Sequence, residues 1–233
     1  MPNKEFLNNM FSFSSSLAVN AALWLLIVFS IVTWSIIVIK IIALWKRGTA
    51  NEQYNAQFWN AANLAQAIKI NIESPMSRIT QAGVKFLQQD CSNSAEKNLF
   101  HAGSKQDILE RCLRLEIQQD RHELERGLTV LASVGSTAPF VGLFGTVLGI
   151  MHALQEITAK HSASVDAVAG PVGETLIATA IGIAVAIPAV LAYNFFLRKV
   201  KLCEAELESF ANDFLRLAIQ TDFKITGDTH GIQ

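Results

Sequence analysis

Residues 127 to 155 read GLTVLASVGSTAPFVGLFGTVLGIMHALQ, 29 positions without an Asp, Glu, Lys or Arg. A helix needs about 20 apolar residues to cross the roughly 30 Å hydrocarbon layer of a bilayer, so this stretch is long enough. Two further windows share the property. Ala18 to Ile39 carries no charge over 22 residues, and Gly170 to Leu197 carries one, Glu174, over 28. Of the 39 charged side chains, 38 lie outside the three windows. A soluble core can bury one such helix but is hard to build around three. The sequence therefore predicts an all-α membrane protein with three transmembrane helices, at 18–39, 127–155 and 170–197.

The charges that remain set the orientation. The 233 residues are 51% apolar and 17% charged, with a formal net charge of -1. That balance lacks the basic excess of a nucleic-acid binder, and the apolar content excludes disorder. Lys and Arg number 1 before the first window, 12 from Lys40 to Arg126, 1 between the second and third windows, and 5 after Leu197. The positive-inside rule then places 1–17 and the 156–169 loop outside, and 40–126 and 198–233 in the cytoplasm. The first window is too long for the core of a cleaved signal peptide, and Lys4 is the only basic residue before it. Cys91, Cys112 and Cys203 show no CxxC spacing, and in cytosolic segments they stay reduced.

The cytosolic segments read as helix. Leu109, Leu113, Ile117, Leu124, Leu128 and Leu131 form a stripe of three-, four- and seven-residue steps, supported by acid-before-base pairs Asp107/Arg111 and Glu110/Arg114. No Pro or Gly interrupts Lys105 to Arg126, so an unbroken helix is expected into the second span. Cys203, Leu207, Phe210, Phe214 and Leu217 make a second stripe beyond the third span. Turns are expected at Asn71–Ser77, around Pro75, and at Cys91–Ser104. Phe6, Leu7, Met10, Phe11 and Phe13 suit a short interfacial helix, and the polar 226–233 tail suits disorder.

Inside the spans, small and polar residues carry the signal. Gly142, Gly145 and Gly149, with Ala178, Gly182 and Ala186 at four-residue spacing, allow close helix approach, within one chain or between subunits. Pro139 and Pro188 free backbone carbonyls and can kink their helices. A carboxylate inside a span costs about 2.5–3.5 kcal/mol, so Glu174 faces a cavity or partner or else snorkels to the nearby headgroups. Thr146 and Thr179 are equidistant from the outer connection. Antiparallel helices therefore hold both hydroxyls at one depth, about 14 Å below Gln155. Each taken singly also suits a threonine bonding back to its own helix. His152 lies four positions before Glu156 and suits an interfacial hydrogen bond, with a proton relay as the alternative. Arg198, Lys199 and Lys201 follow the third span, where basic side chains meet anionic headgroups. No nucleophile–base set, phosphate-cradling glycine loop, metal spacing or cofactor motif occurs, which argues against an enzyme.

Three runs resemble the MotA/TolQ/ExbB proton-channel family: Leu131-ASVGSTAPFVGLFGTVLGI-Met151, Ala169-GPVGETLIATAIG-Ile183 and Ala186-IPA-Val190. Three spans fit its ExbB and TolQ branches rather than the four-span MotA branch. Thr137-APFV-Gly142, Ala167-VAG-Pro171 and Ala192-YN-Phe195 look closer to ExbB, whereas Gly149-IMH-Ala153 also looks like TolQ. Leu148, where many members have Trp, and Thr175, where Ala is usual, depart from the pattern. The resemblance implies a bacterial inner-membrane homo-pentamer whose second and third helices line a pore around single-span helices of ExbD. ExbD would carry the proton-binding aspartate, and the complex would drive TonB for transport across the outer membrane. The family's polar threonines map onto Thr146 and Thr179, and its pore glutamate onto Glu174. A TolQ would instead serve TolR and TolA in envelope integrity. The rival from the residues alone is a non-conducting scaffold that gathers partner helices.

Overall fold

The computed structural model describes residues 3–61, 64–92, 105–160 and 165–220 of the chain. Side chains are described for 19–61, 66–88, 105–155, 158, 172, 173 and 175–220. The elements are all helices: α1 (Asn3–Asn60), α2 (Leu64–Ala67), α3 (Pro75–Ser92), α4 (Lys105–Glu125), α5 (Leu128–Lys160) and α6 (Val165–Gln220). Three stretches among the described residues are helical, long and apolar enough to cross a membrane: Val19–Asn60, Lys105–Gln155 and Thr175–Gln220. The chain divides into two compact units, Met1–Ile39 with Gly127–Phe196, and Lys40–Arg126 with Leu197–Gln233.

The first unit contains the charge-poor stretches. Leu26 of α1 is fully buried in a cluster with Val134 and Ala138 of α5 and Val185, Ala186 and Ala189 of α6. Outward-facing residues are also large and apolar: Trp24, Ile31 and Trp34 on α1, Phe140 and Val147 on α5, and Leu176 and Leu191 on α6 are all more than half exposed. A monomeric soluble protein rarely leaves so extended an apolar surface to water. Hydrocarbon accepts it without cost, and helix contacts then depend on packing rather than on hydrophobic drive.

The second unit has an ordinary soluble core. Tyr54 and Phe58 of α1, Ile79 and Leu87 of α3, Leu109, Leu113 and Ile117 of α4, and Leu207, Phe210 and Phe214 of α6 are all buried together. Phe58 meets Phe210 edge-on at 5.1 Å between centroids, a favoured aromatic geometry. Gly83 makes room for Phe214, whose Cζ would stand 2.8 Å from a Cβ added there. Both apolar stripes expected from the sequence thus face inward, apart from Leu217 and Cys203, which are half-buried.

Three local expectations need correction. The turn expected over Asn71–Ser77 ends at Ser74, and α3 begins at Pro75. Proline is preorganised for the first helical position, and Ser74 caps the helix by accepting from the Ser77 amide at 3.1 Å while Ser77 Oγ accepts from the Ser74 amide at 3.3 Å. The unbroken helix expected from Lys105 onward has a joint: α4 stops at Glu125, and Gly127 takes φ 83°, a left-handed conformation that favours glycine. Lys40 Nζ donates to the Leu124 carbonyl at 2.6 Å and the Glu123 carbonyl at 3.5 Å, capping that helix end. Finally, Phe6–Phe13 belong to α1 rather than to a separate interfacial helix. Cys91 and Ser92 end α3, while 93–104 and the 226–233 tail lie outside the described residues.

Candidate functional site in the membrane helices

The seam between α5 and α6 is built from residues too small to keep the backbones apart. A Cβ at Gly142 would stand 2.7 Å from the Ala178 carbonyl oxygen and 2.9 Å from the Thr179 Cα. One at Gly182 would stand 2.6 Å from the Ala138 carbonyl oxygen and 3.2 Å from the Gly142 Cα. These two glycines face each other's helices and admit no side chain. Gly145 is less tightly held, at 3.4 Å from Ala178 Cβ and 3.5 Å from Ala22 Cβ. A Cβ at Gly149 would overlap Thr175, at 2.8 Å from its Cβ. Ala186 lies in the Leu26 cluster, and both helices continue through Pro139 and Pro188. Of the two packing partners left open by the sequence, contact within one chain is present for Gly142, Gly149, Ala178 and Gly182.

This close approach brings Thr146 and Thr179 together. Thr146 is buried, and its hydroxyl donates to the Leu143 carbonyl at 2.7 Å. Thr179 Oγ1 donates to Thr146 Oγ1 at 3.4 Å, a long hydrogen bond between the helices. Thr146 therefore bonds back to its own helix and also receives the other threonine. Antiparallel helices of equal rise keep residues equidistant from their connection level, and the two threonines meet accordingly. Thr175, one turn from Thr179 on α6, is buried and donates to the Val172 carbonyl at 2.8 Å. The Glu174 side chain lies outside the described residues, as do those of Glu156 and 159–171. Arg198, Lys199 and Lys201 are exposed on α6.

Two features escaped the sequence reading. Thr33 on α1 is buried, and its hydroxyl has no partner among the described residues. A solitary threonine in an apolar helix gives no pattern to notice. In the second unit the buried Asp120 of α4 receives Arg47 of α1 at 2.9 Å and also Arg78 of α3. Glu123 pairs with Arg47 at 3.0 Å and Arg78 at 3.6 Å. Burial pushes the Asp120 carboxyl up, against the pull of both guanidiniums. For Glu123 the effect of burial is outweighed by the Arg47 hydrogen bond and the Arg78 and Arg47 charges, which hold it below the usual range. Asp120 and Glu123 are three apart on one helix, but Arg47 and Arg78 are distant from them and from each other in sequence, so no spacing rule joins the four.

A family description matches residues 71–209, more than half of the chain: the MotA/TolQ/ExbB proton channel family. The chain belongs to that family. Its match spans the α5–α6 seam as well as α3, α4 and part of the α6 extension. Among individual relatives, the biopolymer transport protein ExbB of Neisseria meningitidis serogroup A is 39% identical over 201 residues, covering 85% of this chain and 91% of that protein. The ExbB of Xanthomonas campestris pv. campestris (strain B100) is 40% identical over 193 residues, covering 81% and 76%. The Tol-Pal system protein TolQ of Pseudomonas aeruginosa is similar at a lower level, 31% over 206 residues, covering 86% and 87%. This MotA/TolQ/ExbB member is thus more similar to these ExbB proteins than to this TolQ.

Proposed function

We propose that this chain is the ExbB-type proton-channel subunit of an energy-transducing complex in the bacterial inner membrane. The observation that carries the mechanism is the Thr179–Thr146 hydroxyl contact at 3.4 Å between two helices that are otherwise apolar at that depth. Five copies surround the single-span helices of an ExbD-type partner, and the complex drives a TonB-type protein. The amino terminus and the 156–169 loop are periplasmic, while 40–126 and 198–233 are cytoplasmic, in keeping with the placement of 17 of 19 basic residues. Arg198, Lys199 and Lys201 meet headgroups at the inner face and fix helix depth.

The chemistry follows from the cost of charge in hydrocarbon. A carboxylate carried by the partner into an apolar pore is driven to its protonated form, because desolvation penalises the anion. Hydroxyls at the same depth offset that penalty by hydrogen-bonding the anion or its water. Thr179, held only by the long contact, can turn its hydroxyl to the anion or its water, while the Thr146 oxygen, its own proton on the Leu143 carbonyl, accepts from that water or from the protonated acid. Glu174, one turn into its span, attracts protons and orders water towards the outer mouth. Pro139 and Pro188, by freeing backbone carbonyls, permit the helices to adjust as partner side chains pass.

Replacing Thr179 with Val removes the hydroxyl at similar shape. Proton flux into proteoliposomes holding this chain and its ExbD-type partner should then fall at equal protein content. Unchanged flux in that variant overturns the pore-lining role, and no flux even in the unmodified complex supports a non-conducting scaffold. A deletion strain separates the branches. Lost growth on chelated iron with an intact envelope supports ExbB. Bile-salt sensitivity with normal iron uptake supports a TolQ serving TolR and TolA, the branch that the Gly149-IMH-Ala153 run also resembles.

A further inference from the structure

The hydroxyl pair has a neighbour on the same seam. Thr175 lies four residues before Thr179, so the two share one helix face about a turn apart. It is 8% exposed, and its Cβ and Cγ2 lie against Gly149 of α5. Gly149 in turn lies three residues beyond Thr146 on the facing helix. Thr175 and Gly149 therefore form the next layer of the same interface, one turn nearer the 156–169 loop.

The hydrogen bonding of Thr175 repeats that of Thr146. Each hydroxyl donates to a carbonyl three residues earlier, Thr146 to Leu143 at 2.7 Å and Thr175 to Val172 at 2.8 Å. A hydroxyl has one proton to give and two lone pairs, so spending the proton on the backbone leaves an oxygen that accepts. At Thr146 that oxygen already receives a donor from the opposite helix, Thr179. Thr175 offers the same acceptor one layer further out, and a threonine rather than an alanine there places a polar atom where Gly149 needs only a methyl to fill its notch.

The geometry points to Thr175 as a third positioning residue of the proton path, its oxygen holding a water between the outer mouth and the Thr146–Thr179 pair. The inference rests on the proton-channel reading above. It adds that the polar track along α5 and α6 spans two helical turns rather than one. No proton need pass through the hydroxyl itself, since water carries it and Thr175 orients that water.

The test is proton flux into proteoliposomes containing the assembled complex with its ExbD-type partner, compared across single substitutions at equal incorporation. Thr175→Val keeps the methyl that fills the Gly149 notch and removes only the hydroxyl. Flux should fall about two- to tenfold, the range for one lost hydrogen bond. Thr175→Ser and Thr175→Ala both lose the methyl and differ only in the hydroxyl, so serine should exceed alanine by a similar factor. This second comparison still decides if the valine variant does not assemble. Thr179→Val serves as the reference. Flux that falls in Thr179→Val and not in Thr175→Val, or equal flux in the serine and alanine variants, overturns the role of Thr175 alone. Unchanged flux in both valine variants overturns the pore-lining reading along with it.

Discussion

Gly142→Ala is the perturbation whose consequence can be worked most directly from the structure. The new methyl would stand 2.7 Å from the Ala178 carbonyl oxygen and 2.9 Å from the Thr179 Cα, both backbone atoms that cannot rotate aside. Relief to the ordinary contact limit of 3.4 Å therefore requires α5 and α6 to separate by about 0.7 Å, the difference between 3.4 and 2.7 Å. The Thr179–Thr146 contact already stands at 3.4 Å, so the same movement carries it to about 4.1 Å, beyond hydrogen-bond range. Overpacking of this kind costs about 1–3 kcal/mol. Two measurements follow: thermal unfolding of the purified protein in detergent, and proton flux of the reconstituted complex. Both should decline. Gly145→Ala is the control, since its methyl would meet Ala178 and Ala22 at 3.4 and 3.5 Å, an ordinary packing distance. Wild-type stability and flux in Gly142→Ala, or equal losses in the two alanine variants, would falsify the claim that backbone approach at this seam sets the hydroxyl geometry.

Three further outcomes are expected from the second unit and its boundary. Asp120→Ala leaves Arg47 and Arg78 with Glu123 as their one remaining carboxylate partner in the cluster; because both guanidiniums are partly exposed, the loss should be about 1–3 kcal/mol rather than the larger cost of a fully buried pair. A melting temperature unchanged by that substitution refutes the bridging role. Gly127→Ala places a β-carbon at φ 83° and should cost about 1–2 kcal/mol, with Gly127→Asn intermediate because asparagine tolerates this region better; thermal unfolding of the three proteins should rank Gly, Asn, Ala. Burial, reinforced by Glu116 at Cys112 and by Glu206 and Asp120 at Cys203, pushes both thiols up, so near neutral pH they remain protonated. Alkylation of the native protein at pH 7.5 should be slow at both and accelerate on unfolding, and fast labelling of either in the native state contradicts that environment.

Much of the architecture was legible because membrane insertion acts on composition. Hydrocarbon excludes charge from any helix that spans it, and that exclusion is written along the chain as the windows 18–39, 127–155 and 170–197. The stripes beginning at Leu109 and Cys203 were legible for a related reason, since helical periodicity exposes a buried face directly. Equal spacing from the outer connection was enough to bring out Thr146 and Thr179 as level. That they touch depends on Gly142 and Gly182, whose missing side chains set the helix separation. The joint at Gly127 is hidden in the sequence because the apolar stripe runs through it without a break, while a left-handed residue interrupts the backbone. The turn before α3 ends at Ser74 rather than Ser77 because proline, a turn former, also starts helices.

The sequence by itself thus determined what depends on local chemistry: an all-α chain, three stretches apolar enough to span, the inward faces of the charged helices and the pairing in height of Thr146 with Thr179. Only the tertiary structure decided which small residues meet within one chain, that Thr179 donates a hydrogen bond to Thr146, and that Thr175 repeats the Thr146 bond one turn away. It alone joined Arg47, Arg78, Asp120 and Glu123 across three helices. The physical reason is the range of the interactions. Hydrophobicity and helical rise act along the chain and leave a periodic record in it, whereas a hydrogen bond or ion pair between distant segments depends on sub-ångström approach, for which no spacing in the sequence is a measure.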